Sequence, residues 1–147
     1  MSADPDNLRF FADESALGVG KALASARTDD VHTGHPLLPE VPYGTSDPVW
    51  MPVIARRRLV VICRDARIRR KPAERALLYS EGLRVFWIAG DKDLSNWDNL
   101  LRLVRRWNDI EQVLHDRPEG PWFYAVNETG LGEMRVSPPT AGGTLGL

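Results

Sequence analysis

Short apolar runs that end in an acid alternate with segments of helical period along this chain. Arg9-Phe10-Phe11-Ala12 leads into Asp13-Glu14, and Leu59-Val60-Val61-Ile62-Cys63-Arg64 leads into Asp65. Uninterrupted apolar runs of this length read as strands of a parallel sheet covered on both faces. The stretch from about Ala16 to Arg27, rich in Ala and Leu, predicts a helix with Ser15 as its N-cap. Asp30 to Thr33 predicts a short second strand. Pro36, Pro39, Pro42 and Gly44 exclude regular structure from Gly34 to Ser46. A helix is expected over Asp47 to Arg57, with Pro48 suited to its first turn and Pro52 inviting a kink. Pro72 to Gly82 predicts a helix stopped by glycine, and Leu83 to Ala89 a further buried strand.

Trp97, Leu100, Leu101, Val104, Trp107, Ile110 and Leu114 recur at helical spacing. They predict one long helix over Asn96 to Asp116 with these residues as its apolar face. Trp122 to Val126 and Met134 to Val136 predict a hairpin joined through Asn127-Glu128-Thr129-Gly130, extending the sheet at its edge. The alternation of strands and helices implies an α/β protein with a central, mostly parallel sheet. A length of 147 residues suits one domain, expected over 1–136, with a Pro/Gly/Thr-rich flexible tail over 137–147.

Composition adds little until its distribution is considered. The net charge of −1 points to neither a nucleic-acid nor a membrane partner. Nine of the 19 Lys and Arg residues, however, fall between Arg56 and Arg75, against only Asp65 and Glu74. A single cysteine excludes an intrachain disulfide framework and fits a reducing compartment. No basic-then-apolar leader pattern and no apolar run of about 20 residues is seen, so a cytoplasmic location is expected.

The candidate chemistry lies at the strand ends. In open α/β sheets ligands bind beyond the carboxyl ends of the strands, where Asp13 and Asp65 are expected. Mg²⁺ takes hard oxygen donors, one or two protein carboxylates with water and substrate phosphate oxygens. Two acids at neighbouring strand ends meet that need; turn capping is the alternative role for each. Asp47 opens a helix that leads into the Asp65 strand, so its choices are capping or a third ligand.

Asp47 followed by an apolar helix and then Leu59-Val60-Val61-Ile62-Cys63-Arg64-Asp65 resembles the later half of the PIN-domain nuclease signature. Phe11-Ala12-Asp13-Glu14-Ser15 resembles its opening strand, most closely in the short PIN-like group that includes VapC-type toxins of toxin–antitoxin pairs. The resemblance implies an α/β/α sandwich, Mg²⁺ or Mn²⁺ held by Asp13, Asp47 and Asp65, and cleavage of RNA. Cys63 stands where the family has threonine, and Ile68 where phenylalanine is common. No helix-borne glutamate stands between the first strand and Asp47; Glu14 is the candidate replacement, with Glu40 in the proline-rich loop as a lesser one.

The chemistry so implied is hydrolysis: metal held by the three aspartates binds the scissile phosphate and activates water for in-line attack. Arg64, Arg67, Arg69, Arg70 and Lys71 beside Asp65 suit flanking phosphates. A solvated basic loop or a surface for an acidic partner protein is the alternative. The expected function is a Mg²⁺-dependent endoribonuclease acting as a toxin, with RNA and a cognate antitoxin as partners, room for a homodimer, and no membrane. A catalytically weak binding module for RNA or protein, or a processing nuclease unrelated to toxicity, is the alternative.

Other motifs fall away. Gly18-Val19-Gly20-Lys21 lacks the flanking glycine and hydroxyl of a phosphate-binding loop. His32 and His35 lack partners for zinc. Asp91 and Asp93 follow a strand, but Ser95 and Asp98 suggest that this segment leads into a capped helix. Most of the five tryptophans, Trp97 and Trp107 among them, are expected in the core, and Cys63 is expected to be inert in a buried strand.

Overall fold

Alternate residues of the central strands serve two separate cores. In the computed structural model, which describes residues 3–65 and 69–136, Phe11, Val61, Cys63, Val85 and Trp87 face one side. Phe10, Ala12, Val60, Ile62, Phe86 and Ile88 face the other. Strands buried on both faces need cover on both, and helices supply it.

The strands are β1 (Phe10–Ala12), β2 (Asp30–His32), β3 (Val60–Cys63), β4 (Arg84–Ile88), β5 (Trp122–Val126) and β6 (Leu131–Glu133). They form one sheet in the order β2-β1-β3-β4-β5-β6, parallel except for the β5–β6 pair. Helices α2 (Asp47–Arg56) and α3 (Pro72–Ser80) cover the first face through Trp50, Met51, Ile54 and Leu78. Helices α1 (Leu17–Ala26), α4 (Asn96–Arg105) and α5 (Trp107–Asp116) cover the second through Val19, Leu23, Leu103 and Ile110. The result is the mostly parallel α/β sheet expected from the alternation of strands and helices, layered as the α/β/α sandwich that the resemblance implied. No helix among the described residues is long and apolar enough to cross a membrane.

Three local expectations are corrected. A 3-10 turn over Glu14–Ala16 precedes α1, and Ser15 does not cap it; the N-cap position is Ala16, which has no side-chain cap. The long helix is two helices, broken at Arg106 (φ −101°, ψ 8°). The break lets α4 pack against α1 and β4 while α5 turns toward β1, where Trp107 meets Phe10 at 5.0 Å and Arg9 bonds Glu111 at 2.5 Å. Consequently Trp97 and Val104 point to solvent rather than into the core. The hairpin closes earlier than expected: Asn127 N–H donates to the Gly130 carbonyl, pairing Val126 with Leu131 and Tyr124 with Glu133. Met134 to Val136 is therefore outside the strand, although Val136 still tucks into the first core. The expected tail, 137–147, lies outside the described residues.

Gly20 is set by packing. A Cβ there would stand 2.6 Å from the Ala12 Cβ and 2.9 Å from the His32 Cβ, so α1 lies directly on the ends of β1 and β2. Gly20→Ala is expected to destabilise the fold by about 1–3 kcal/mol through overpacking, despite the better helix propensity of alanine. Urea unfolding followed by circular dichroism checks this; an unchanged midpoint contradicts it.

Candidate active site

Asp13 follows directly on β1, and Asp65 lies two residues beyond β3, at the carboxyl edge of adjacent parallel strands. Asp47 is the first residue of α2, brought to the same edge by the irregular 34–46 segment. With Glu14, Ser15, Lys71 and Glu74 they line one cleft of about 470 Å³. The three expected acids thus converge although 52 residues separate the first from the last.

Ser15 ties the two strand ends together. Its hydroxyl donates to Asp13 Oδ1 at 2.6 Å and accepts from the backbone N–H groups of Arg64 at 2.8 Å and Asp65 at 3.0 Å. The expected threonine position is Cys63, whose side chain is fully buried in the first core, its thiol pushed well up by burial. Ser15, in the 3-10 turn that follows β1, places a hydroxyl on Asp13 instead. On the outer side, the Trp87 indole N–H donates to the Asp65 carbonyl at 3.2 Å.

Burial shapes the electrostatics. Asp13 is only 4% exposed, and its carboxyl is pushed up to about 7, first by loss of water and then by the charges of Asp47 and Asp65. The Ser15 hydroxyl works in the opposite direction. Half-buried Asp47 is also raised, first by burial and then by Glu74 and Asp65, while its bond from the Trp50 indole N–H at 2.9 Å and the charge of Lys71 pull it down. Asp47 is thus aimed at the cleft and at Trp50, with Ser46 in the N-cap position.

Glu74 is the acid that sequence reasoning missed. Pro72 starts α3, so Glu74 falls in its first turn, buried and lining the cleft beside Asp47. The signal was the proline-led helix after the Asp65 strand, which places any early acid at the same sheet edge. Glu14 is exposed; its carboxylate accepts the Gly44 N–H at 2.5 Å and fastens the irregular segment to the cleft rim. Glu40 is turned away, paired with Arg57 at 2.8 Å.

The basic residues divide. Lys71 lines the acidic cleft. Arg69 borders an adjoining groove of about 670 Å³ that shares Ser15 and Asp65 with the cleft, and its guanidinium lies 5.2 Å over the Trp87 ring. Arg64 also borders this groove, but its guanidinium donates to the carbonyls of Ile88 and Asp91, tying β3 to the end of β4. Arg70 is exposed, and Arg67 and Ile68 lie outside the described residues. His32 and His35 stack edge to face at 5.1 Å, with His32 Nδ1 on the Thr33 carbonyl and His35 Nδ1 accepting the Leu37 N–H.

Among the described residues no three His, Cys, Asp or Glu side chains stand as a preassembled metal cage. The donor chemistry nevertheless suits a hard cation. Every candidate is a carboxylate, and the cleft gathers five of them against the single cation Lys71.

A mostly parallel sheet with carboxylates gathered at its carboxyl edge is an α/β domain whose acidic cleft lies where such sheets bind their ligands. The match to a family model described as a PIN-like domain, over residues 8–90, makes the assignment: the chain belongs to the PIN-like domain family. The matched span runs from the start of β1 through β4 and includes all five acids that line the cleft. No curated protein and no solved structure matches the chain.

Proposed function

We propose that this protein is a metal-dependent endoribonuclease, acting as the toxin of a type II toxin–antitoxin pair. The convergence of Asp13, Asp47 and Asp65 on one cleft of a PIN-like domain carries the reading. The toxin assignment rests on the resemblance of Phe11-Ala12-Asp13-Glu14-Ser15 to the short PIN-like group.

Asp13, Asp47 and Asp65 hold the metal, with Glu74 completing the acidic rim. A bound Mg²⁺ or Mn²⁺ supplies Lewis acidity toward phosphate oxygens and lowers the pKa of water in the cleft. Ser15 orients the Asp13 carboxylate and favours its ionised form against the effect of burial. Lys71 offers an ammonium to a phosphate at the cleft mouth, Arg69 offers its guanidinium to the adjoining groove, and Arg70 is exposed between them in sequence. Arg64 serves the structure of the site rather than the substrate.

The test is cleavage of unpaired RNA by purified protein in Mg²⁺, Mn²⁺ or chelator, with growth followed on expression without a partner. Cleavage that needs metal supports the nuclease, and growth arrest supports the toxin. Binding without cleavage favours the second reading, an RNA- or protein-binding module, which the lack of a preassembled ligand cage among the described residues supports.

Ser15→Ala isolates the positioning hydroxyl. Loss of an outer-shell bond to a metal ligand costs about 10–100-fold, and a tenfold fall in activity is expected here. Because the hydroxyl favours ionised Asp13, its removal raises the Asp13 pKa, and the acidic limb of the pH–rate profile moves to higher pH. A profile that drops without shifting contradicts the assigned role.

A further inference from the structure

The rim of the cleft on its β2 side carries exposed apolar surface that the acids do not use. Four large hydrophobic side chains are exposed among the described residues, and two of them, Tyr43 (54%) and Val49, fall in the 43–49 segment. Residues 44–48 between them line the cleft itself. Exposed apolar side chains gathered beside a cleft mark a contact surface more than scattered ones do.

Tyr43 is built into place. It stands in a tight turn in which the Thr45 N–H at 3.2 Å and the Thr45 hydroxyl at 2.6 Å both donate to the Pro42 carbonyl. Gly44 takes the third position of the turn at φ +86°, a conformation that suits glycine. Its N–H is the one that Glu14 accepts, so the turn is fastened to the segment that follows Asp13. The Tyr43 ring lies against Gly34, just beyond β2, where a Cβ would overlap the ring atoms. The Gly34 N–H in turn donates to the Val41 carbonyl at 2.8 Å. The ring is thus propped by backbone while the residue stays half exposed. Exposed Lys21, on α1, holds its ammonium 5.7 Å from the ring centroid.

A propped, exposed aromatic ring with a cation beside it suits single-stranded nucleic acid. A base stacks on the ring, and a phosphate of the same strand takes the cation. A ring already held in position spares the ligand the cost of ordering it. Strand order sets the parts in a row: Tyr43 beyond β2, Asp13 after β1, Asp65 after β3, and the groove with Arg69 toward β4. A strand of RNA lying along this edge meets Tyr43 on one side of the acids and Arg69 on the other. Lys21 at the ring is the feature that favours a nucleotide over a protein surface.

We propose that Tyr43 and Lys21 form a nucleotide subsite on the β2 side of the cleft, the ring stacking one unpaired base and the ammonium holding an adjoining phosphate. The subsite rests on the ribonuclease reading for its ligand, and binding tests it without cleavage. Fluorescence anisotropy in chelator compares a labelled single-stranded oligoadenylate with an abasic ribose-phosphate chain of equal length. Tyr43→Ala is expected to weaken oligoadenylate binding about tenfold, the effect of one stacked base, and to leave the abasic chain unchanged. Tyr43→Phe keeps the ring and is expected to bind as the parent does. Lys21→Ala should weaken both ligands and reduce the slope of log K against log salt by about 0.7, the share of one phosphate on a single strand. Circular dichroism checks the fold of each variant. A folded Tyr43→Ala protein with the parent's affinity for oligoadenylate overturns the subsite and leaves the exposed ring to a protein contact. Equal losses on the two ligands overturn the stacking role, and a parent that binds neither ligand overturns the subsite outright. Failure of the nuclease reading looks different: RNA then binds through Tyr43 but is not cut in Mg²⁺ or Mn²⁺.

Discussion

Asp13→Asn and Asp65→Asn are each expected to lower metal-dependent RNA cleavage by at least about 100-fold while leaving RNA binding nearly unchanged. Outer-shell changes at metal sites already cost about 10–100-fold, and a directly ligating carboxylate should cost no less. Asparagine keeps the shape of the side chain and one acceptor oxygen but removes the charge that a hard cation requires. Binding should survive because Lys71, Arg69 and Arg70 are untouched, and removing a negative charge from the cleft eases the approach of a phosphate. Single-turnover cleavage beside a binding titration in chelator separates the two effects. Equal cleavage by parent and both variants rejects the site; binding lost with cleavage moves the acids from chemistry to substrate contact.

The same Asp13→Asn change is expected to make the metal-free protein more stable at pH 8. Burial pushes the Asp13 carboxyl up to about 7, against 3.8 ordinarily. The favourable contribution of its neutral form is complete below the unfolded value, erodes as pH rises, and is gone once pH passes the folded value. At pH 8 the parent therefore holds a buried, repelled carboxylate, whereas asparagine carries no charge. The expected gain reaches up to about 4 kcal/mol, or roughly 10 °C in melting temperature for a chain of this size. At pH 4 the two proteins should melt together. Added Mg²⁺ should raise the melting temperature of the parent and leave the variant largely unmoved, because a ligand stabilises only the form that binds it. A variant less stable than the parent at pH 8 contradicts the electrostatic account of the cleft.

Together these outcomes describe a site held against its own stability. Asp13 is buried where Phe10 and Phe11 anchor β1 in opposite cores, and Asp47 and Asp65 are brought close to it. Ser15 offsets part of the cost by bonding Asp13 and both backbone groups beyond β3. A residue that reads from sequence as a helix cap is instead the fastening between two strands. Local propensity is overridden wherever a side chain finds stronger partners across the fold.

The sequence by itself determined the elements whose signal is local and continuous. The runs ending at Asp13 and Asp65, the proline-rich 34–46 segment, the helix opened by Asp47 and the glycine stop at Gly82 all depend on near neighbours, and each is in place. Tertiary structure alone decided the rest. The period from Trp97 to Leu114 gives no sign of the break at Arg106, which exists because α4 and α5 pack against different strands. Glu74 entered the cleft because α3 follows β3 to the same sheet edge as α2, a relation that no spacing records. Arg64 turned to the carbonyls of Ile88 and Asp91 because the parallel pairing of β3 with β4 brings them within reach. Periodicity reports which face of an element is apolar; only the packed fold decides whether that face meets the sheet, another helix or solvent.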